Sequence, residues 1–153
     1  MTVVDYFSIF LGEVLLVLMI FIASSLFFEK DKRLALKTLV AVAVTWGIVR
    51  VIKSLFPETR PFGVLDIKPL VNLVRVNDSF PSAHAAVSFA IATSVWLAKH
   101  KLGLLLLVMA FGVSIGRVLL WVHFPIDVIV GAIIGVTVVL VINRLNLFGW
   151  GND

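Results

Sequence analysis

Six ionisable side chains fall in three short stretches of this chain: Lys53 and Arg60, then His84, then Arg117, His123 and Asp127. Three cations, two imidazoles and one carboxylate suit a tetrahedral anion. Arginine forks and a lysine point charge can hold phosphate oxygens, and a histidine can serve as nucleophile or acid. The spacings sharpen this. Lys53-SLFPET-Arg60-Pro61 reads K-x6-R-P. Phe80-Pro81-Ser82-Ala83-His84 places Pro and Ser where a helix start wants them, so the opening turn offers backbone N–H groups and a positive dipole end to an anion. Gly116-Arg117-VLLWV-His123-FPI-Asp127 sets a histidine and an aspartate four apart, predicted to share one helical face. Asp127 can then accept from one ring nitrogen of His123 and leave the other free to attack phosphorus.

The elements that must position these groups belong to a membrane protein. Of 153 residues, 61% are hydrophobic and only 14% charged, with a mean hydropathy of +1.12. A soluble domain of this size would expose large sticky patches. The expected fold is all-α, a single bundle of five transmembrane helices over about 6–28, 34–55, 82–98, 102–122 and 126–142. No alternating ten-residue strands suggest a barrel. The first segment carries Asp5 rather than a basic stretch before it and is long for a signal peptide, so it reads as a retained span. There are no cysteines, which excludes thiolate nucleophiles and zinc–thiolate sites. The net charge of +4 speaks to topology rather than to nucleic acid. Lys30, Lys32, Arg33, Lys37, Lys99, Lys101 and Arg144 would all lie on one face, which the positive-inside rule makes cytoplasmic. The N-terminus, the 56–81 loop and the chemistry-bearing residues would then lie outside, and the C-terminus inside. Arg60, Lys68 and Arg75 in the outer loop oppose that assignment.

The three ordered motifs resemble the signature of the type 2 phosphatidic acid phosphatases, membrane relatives of the vanadium haloperoxidases: K-x6-R-P, P-S-G-H and S-R-x5-H-x3-D. The resemblance covers about residues 50–130. It implies a metal-independent lipid phosphatase with no cofactor. His123 would be the nucleophile that forms a phosphohistidine, with Asp127 orienting it. His84 would be the acid and then the base, and Lys53, Arg60, Ser82, Ala83 and Arg117 would bind phosphate. Ala83 replaces the family glycine. Gly116 replaces the family serine, which would remove one hydroxyl contact to phosphate. The segments NDSFPSAHAAVSFA and VHFPIDVIVG are close to those of small bacterial members, which implies undecaprenyl diphosphate as substrate, with phosphatidate or phosphatidylglycerol phosphate as the alternative. The substrate would be a membrane lipid phosphate, and the bilayer the other partner.

Blander roles remain for each residue. The cations could snorkel from helix ends, the histidines could be ordinary interfacial residues, and Ser82 could be a plain helix cap. A transporter would place its charges near the midplane with inverted repeats, which are not visible here, and an inactive scaffold would need no such set. Asp127 is expected to be the only acid close to the site. Glu13 and Arg50, each roughly 8–12 Å below the outer surface, could form a buried ion pair tying the first span to the second, or stand separately in a wet pocket. In the outer loop Pro69 could open a short interfacial helix with Leu70, Leu73 and Val74 toward lipid, as an entry lip or a simple cap.

Overall fold

The structure is a computed structural model that describes residues 1–27, 31–71 and 75–145. Every regular element in it is helical. The first span combines α1 (Val3–Ile9), a π-helical turn (Phe10–Val14) and α2 (Leu15–Ser25). It is followed by α3 (Lys32–Leu55), the single turn α4 (Pro61–Val64), α5 (Ala83–Ala98), α6 (His100–Leu119) and α7 (Pro125–Arg144). Among the described residues, four helical stretches are long and apolar enough to cross a bilayer, namely Val3–Ser25, α3, α6 and α7. Phe21, Val17, Val51, Leu104, Val108 and Ile133 project outward from them, a surface that lipid solvates and water does not. The chain is a membrane protein.

The inner helix is α5. Its 16 residues rise only about 24 Å, and eleven consecutive ones, Ala85 to Val95, are buried. It packs against α3, α6 and α7. Its small side chains permit this. In a bilayer, helices gain little from burying apolar surface and associate where backbones can approach closely. Gly131 and Gly135 of α7 give that approach. A Cβ at Gly131 would stand 2.5 Å from the Ser82 carbonyl oxygen, and one at Gly135 would stand 3.0 Å from Ala90 N. Across the α3–α5 seam, the hydroxyls of Thr38 and Ser94 share a 2.8 Å hydrogen bond. Phe89 of α5 meets Phe111 of α6 edge-on at 5.1 Å.

Several boundaries differ from those expected. The first helix begins at Val3, not Tyr6, because Thr2 and Asp5 form a capping box, with Thr2 N donating to Asp5 Oδ2 at 2.6 Å. It ends at Ser25, and Phe28 lies outside the described residues, as does Lys30. The fourth span stops at Leu119 rather than Val122. The chain turns there through Trp121, whose φ of 57° is left-handed and incompatible with continuing the helix. The hydrophobic run Leu120–Val122 is thus a packed turn, with Leu120 and Val122 buried against Phe62. No helix starts at Pro69; Leu73 and Val74 lie outside the described residues. Among the described residues the loop's helical turn is α4, opened by Pro61 immediately after Arg60.

If the α5–α7 seam carries the bundle, Gly135→Leu should cost about 1–3 kcal/mol through overpacking. Gly47→Leu should stay within about 0.5 kcal/mol, since a Cβ there meets nothing within 4 Å. Unfolding midpoints in mixed detergent compare the two.

Candidate active site

At one end of the bundle, the α3 terminus, the 56–82 loop, the α5 start and the α6–α7 turn come together. Backbone hydrogen bonds lock the loop down. Arg60 N donates to Val76 O at 3.0 Å, Phe62 N to Trp121 O at 3.0 Å, Ser79 N to Glu58 O at 2.9 Å and Ser82 N to Asp127 O at 2.9 Å. These bonds carry Arg60 across to the turn that bears His123, a residue 63 positions later.

His123 and Asp127 do meet, although not as two residues on one helical face. His123 precedes α7, which begins at Pro125. The turn into the helix brings its Nδ1 within 3.4 Å of Asp127 Oδ2. That oxygen also accepts from Ser79 Oγ at 2.6 Å and from Phe124 N at 2.9 Å. The carboxylate is therefore both a helix cap and the fixed partner of the imidazole. On the other side of the ring, Nε2 lies 3.2 Å from the Arg60 guanidinium. Arg60 itself donates to Val122 O at 2.7 Å and to Arg75 O at 3.2 Å. An imidazole that donates from Nδ1 to Asp127 presents the Nε2 lone pair to Arg60, the edge at which an anion held by Arg60 would sit.

The electrostatics favour that form. Burial comes first in pushing the His123 imidazolium down, to about 3, and the charges of Arg60, Arg117 and Lys53 push the same way against the hydrogen bond to Asp127. Both effects favour the neutral ring at pH 7. Burial and the neighbouring Arg117 charge also lower Arg60 from the ordinary guanidinium value, though a guanidinium remains charged at any physiological pH.

The other cations are buried too. Lys53 Nζ donates to the carbonyls of Asp78 at 2.5 Å and Ser79 at 3.2 Å, with Asp78 Oδ1 at 3.7 Å. Arg117, 1% exposed, pairs through one terminal nitrogen with Glu13, and its Nε makes no hydrogen bond among the described residues. The second oxygen of Glu13 lies 3.4 Å from His84 Nε2. His84, in the first turn of α5, is thus linked to Arg117 through Glu13, and His123 faces Arg60. Ser82 caps α5 by accepting from Ala85 N at 3.4 Å. The amides of Ala83 and His84, in the first helical turn, have no intrahelical acceptor.

Two expectations are corrected. Glu13 does not pair with Arg50. Arg50 instead reaches Asp78 at 3.7 Å and stacks over the Trp46 ring at 5.9 Å. Equal depth in the membrane says nothing about which way two helices face. Asp127 is not the only nearby acid, because Glu13 and Asp78 also border the site, each on a cation. Gly116, which lacks the family serine's hydroxyl, is also a packing residue. A Cβ there would stand 2.6 Å from Gly12 Cα and 2.7 Å from the Leu11 carbonyl carbon, so the first span's backbone occupies the space a serine side chain would need. Ser79 and Asp78 were missed. Their only signal was position, in Asn77-Asp78-Ser79 just before the Pro81-Ser82 helix start.

A helical membrane bundle with a buried, arginine-lined imidazole at one end is the class of protein that this fold and site define. The sequence profile of the PAP2 superfamily matches residues 34–148, and the chain belongs to that superfamily. It is 34% identical over 110 residues to the bacitracin transport permease protein BcrC of Bacillus licheniformis, covering 70% of this chain and 53% of that one. It is 36% identical over 107 residues to the putative undecaprenyl-diphosphatase YbjG of Escherichia coli K12, covering 69% and 53%. An undecaprenyl-diphosphatase of Sulfolobus acidocaldarius is 27% identical over 111 residues, covering 72% and 54%. These alignments span about half the length of each curated relative. The crystal structure of Aquifex aeolicus LpxE superposes with a TM-score of 0.72 at 28% identity, over 90% of this chain and 81% of that one.

The depressed imidazolium has a consequence for stability. Between about 3 and the ordinary imidazole value near 6.5, the unfolded chain binds a proton at His123 that the folded chain refuses. The contribution is complete above about 6.5 and is lost as the pH falls through that window. Midpoints of detergent unfolding should drop from pH 7 to pH 5, and His123→Asn should flatten the slope.

Proposed function

We propose that this chain is a membrane lipid phosphatase, and that it hydrolyses a polyprenyl diphosphate, such as undecaprenyl diphosphate, to the monophosphate and inorganic phosphate. The observation that carries the reading is His123, neutral, held at Nδ1 by Asp127 and facing a buried guanidinium with Nε2. Arg60, Arg117 and Lys53, with Ser82 and the amides of Ala83 and His84, would bind the terminal phosphoryl oxygens. Their fixed positive charge would stabilise the transition state as preorganised donors do. Nε2 of His123 attacks the terminal phosphorus, forming the N–P bond of a phosphohistidine as the bridging P–O bond breaks. His84 gives a proton to the leaving oxygen. It then takes one from water, whose oxygen attacks the phosphohistidine, releasing phosphate and restoring the neutral ring.

The substrate's tail would stay in lipid. An apolar groove of about 360 Å³, lined by Phe111, Ile115, Leu119, Pro125, Val128 and Ile129, lies between α6 and α7. Pro125 and Val128 follow His123 and Asp127 in the chain, and in this reading the groove holds the tail. In this reading α5 is also a span, the third of five in a single domain, the N-terminus and the site face the extracytoplasmic side, and the C-terminus is cytoplasmic. The two relatives named as undecaprenyl-diphosphatases favour the diphosphate. Phosphatidate and phosphatidylglycerol phosphate are the competing substrates.

Phosphate release by the purified protein in detergent should be fastest from polyprenyl diphosphate when compared with polyprenyl monophosphate, phosphatidate and phosphatidylglycerol phosphate. His123→Ala should lower it by about 10³-fold or more, the scale on which removal of a nucleophile acts. A transporter or an inactive scaffold would release none. Because three fixed cations supply the charge, turnover should survive EDTA; loss restored by Mg²⁺ would overturn that part of the reading.

A further inference from the structure

The reaction just described leaves one half-buried contact without a task. Glu13 lies in the π-helical turn Phe10–Val14 of the first span, outside the residues matched by the family profile. Its carboxylate bridges two of the site's groups, pairing with Arg117 through one oxygen and lying 3.4 Å from His84 Nε2 through the other.

Two further features serve that contact. The π turn adds a residue to the helical repeat, a device common where a side chain must be re-aimed. Gly12, beside Glu13, sits against Gly116, beside Arg117, with the Gly12 Cβ position only 3.2 Å from the Gly116 carbonyl carbon. Without side chains at these two positions, the backbones approach closely enough for a glutamate to reach the guanidinium. The glycine at position 116, which lacks the hydroxyl of the family pattern, thus makes room for a carboxylate delivered from another helix.

We infer that Glu13 is a positioning residue for phosphoryl transfer, fixing the ring of His84 through Nε2 and the guanidinium of Arg117 through one terminal nitrogen. This rests on the phosphatase reading of the same site. Holding one ring nitrogen sets the orientation of an imidazole, which leaves Nδ1 as the nitrogen to exchange a proton with the leaving oxygen. Holding one arm of Arg117 leaves its unpartnered Nε and remaining N–H groups for phosphoryl oxygens. The site then contains two carboxylate–imidazole pairs, Asp127 behind the nucleophile and Glu13 behind the acid.

The test uses the dependence of acid catalysis on the leaving group. A lipid alcohol leaves poorly and needs its proton, whereas p-nitrophenolate leaves well without one. Glu13→Gln, His84→Ala and the double variant would be assayed as purified full chains on phosphatidate and on p-nitrophenyl phosphate. Glu13→Gln should lower kcat on both, and by about tenfold or more further on phosphatidate, within the range that acid catalysis contributes. KM should move less than kcat. In the His84→Ala background the extra loss on phosphatidate should disappear. Equal losses on the two substrates, or an extra loss that persists without His84, would overturn the inference and leave the phosphatase reading intact. A wild-type protein that releases phosphate from neither substrate, nor from polyprenyl diphosphate, would overturn the phosphatase reading itself. If Glu13→Gln does not elute as a folded species, Glu13→Asp, with its carboxylate one methylene short of His84, goes through the same comparison and should show the same discrimination.

Discussion

Positive charge inside an apolar bundle must be answered on the spot. A buried ion left without a partner costs several kcal/mol even after relaxation, and three cations are buried at one end of this bundle. Each has a carboxylate or carbonyl partner. Arg117 has Glu13, Lys53 has Asp78 and two backbone carbonyls, and Arg60 has the carbonyls of Val122 and Arg75. Much of the local architecture follows from that requirement. The 56–82 loop folds back so that its carbonyls and Asp78 reach Lys53 and Arg60. The first span comes close to α6 so that Glu13 reaches Arg117.

These pairings leave capacity for a ligand. Arg117 retains an Nε with no partner among the described residues, Arg60 faces the ring edge of His123, and the α5 start offers amides. A site whose cations were fully occupied by protein carboxylates would have little attraction for an anion, and one with unpaired cations would not be stable in an apolar surround. The arrangement lies between those limits. The neutral state of His123 belongs to the same balance, since burial and nearby cations both oppose a proton there, whereas Asp127 keeps the ring oriented.

Close helix approach is the means by which the charges meet. Gly131 and Gly135 seat α7 on α5 and so place Asp127 beside Ser82, whose amide donates to the Asp127 carbonyl. Gly12 and Gly116 do the same for the first span and α6. In a membrane, where burial of apolar surface gives little net drive between helices, removing a methyl group from a seam is a direct way to set the distance between two polar groups. The glycine at 116, which looks in sequence like a lost phosphate contact, is explained by that geometry.

The helical, membrane-embedded character of the chain was legible in composition and in runs of apolar residues, because lipid demands long uninterrupted hydrophobic helices wherever a chain crosses it. The candidate residues Lys53, Arg60, Ser82, His84, Arg117, His123 and Asp127 could be picked out too, because polar groups stand out in such a chain and their local spacing is preserved by the helix starts and turns around them. Helix ends were less so: Leu120–Val122 is as apolar as a span and yet is a turn, since hydropathy measures burial and not φ. Partnership across the bundle was hidden entirely. Glu13 with Arg117, Arg50 with Asp78, and Ser79 with Asp127 depend on how far each helix is rotated and how closely two backbones approach. Those quantities are set by packing among all the helices at once, so only the tertiary structure could decide them.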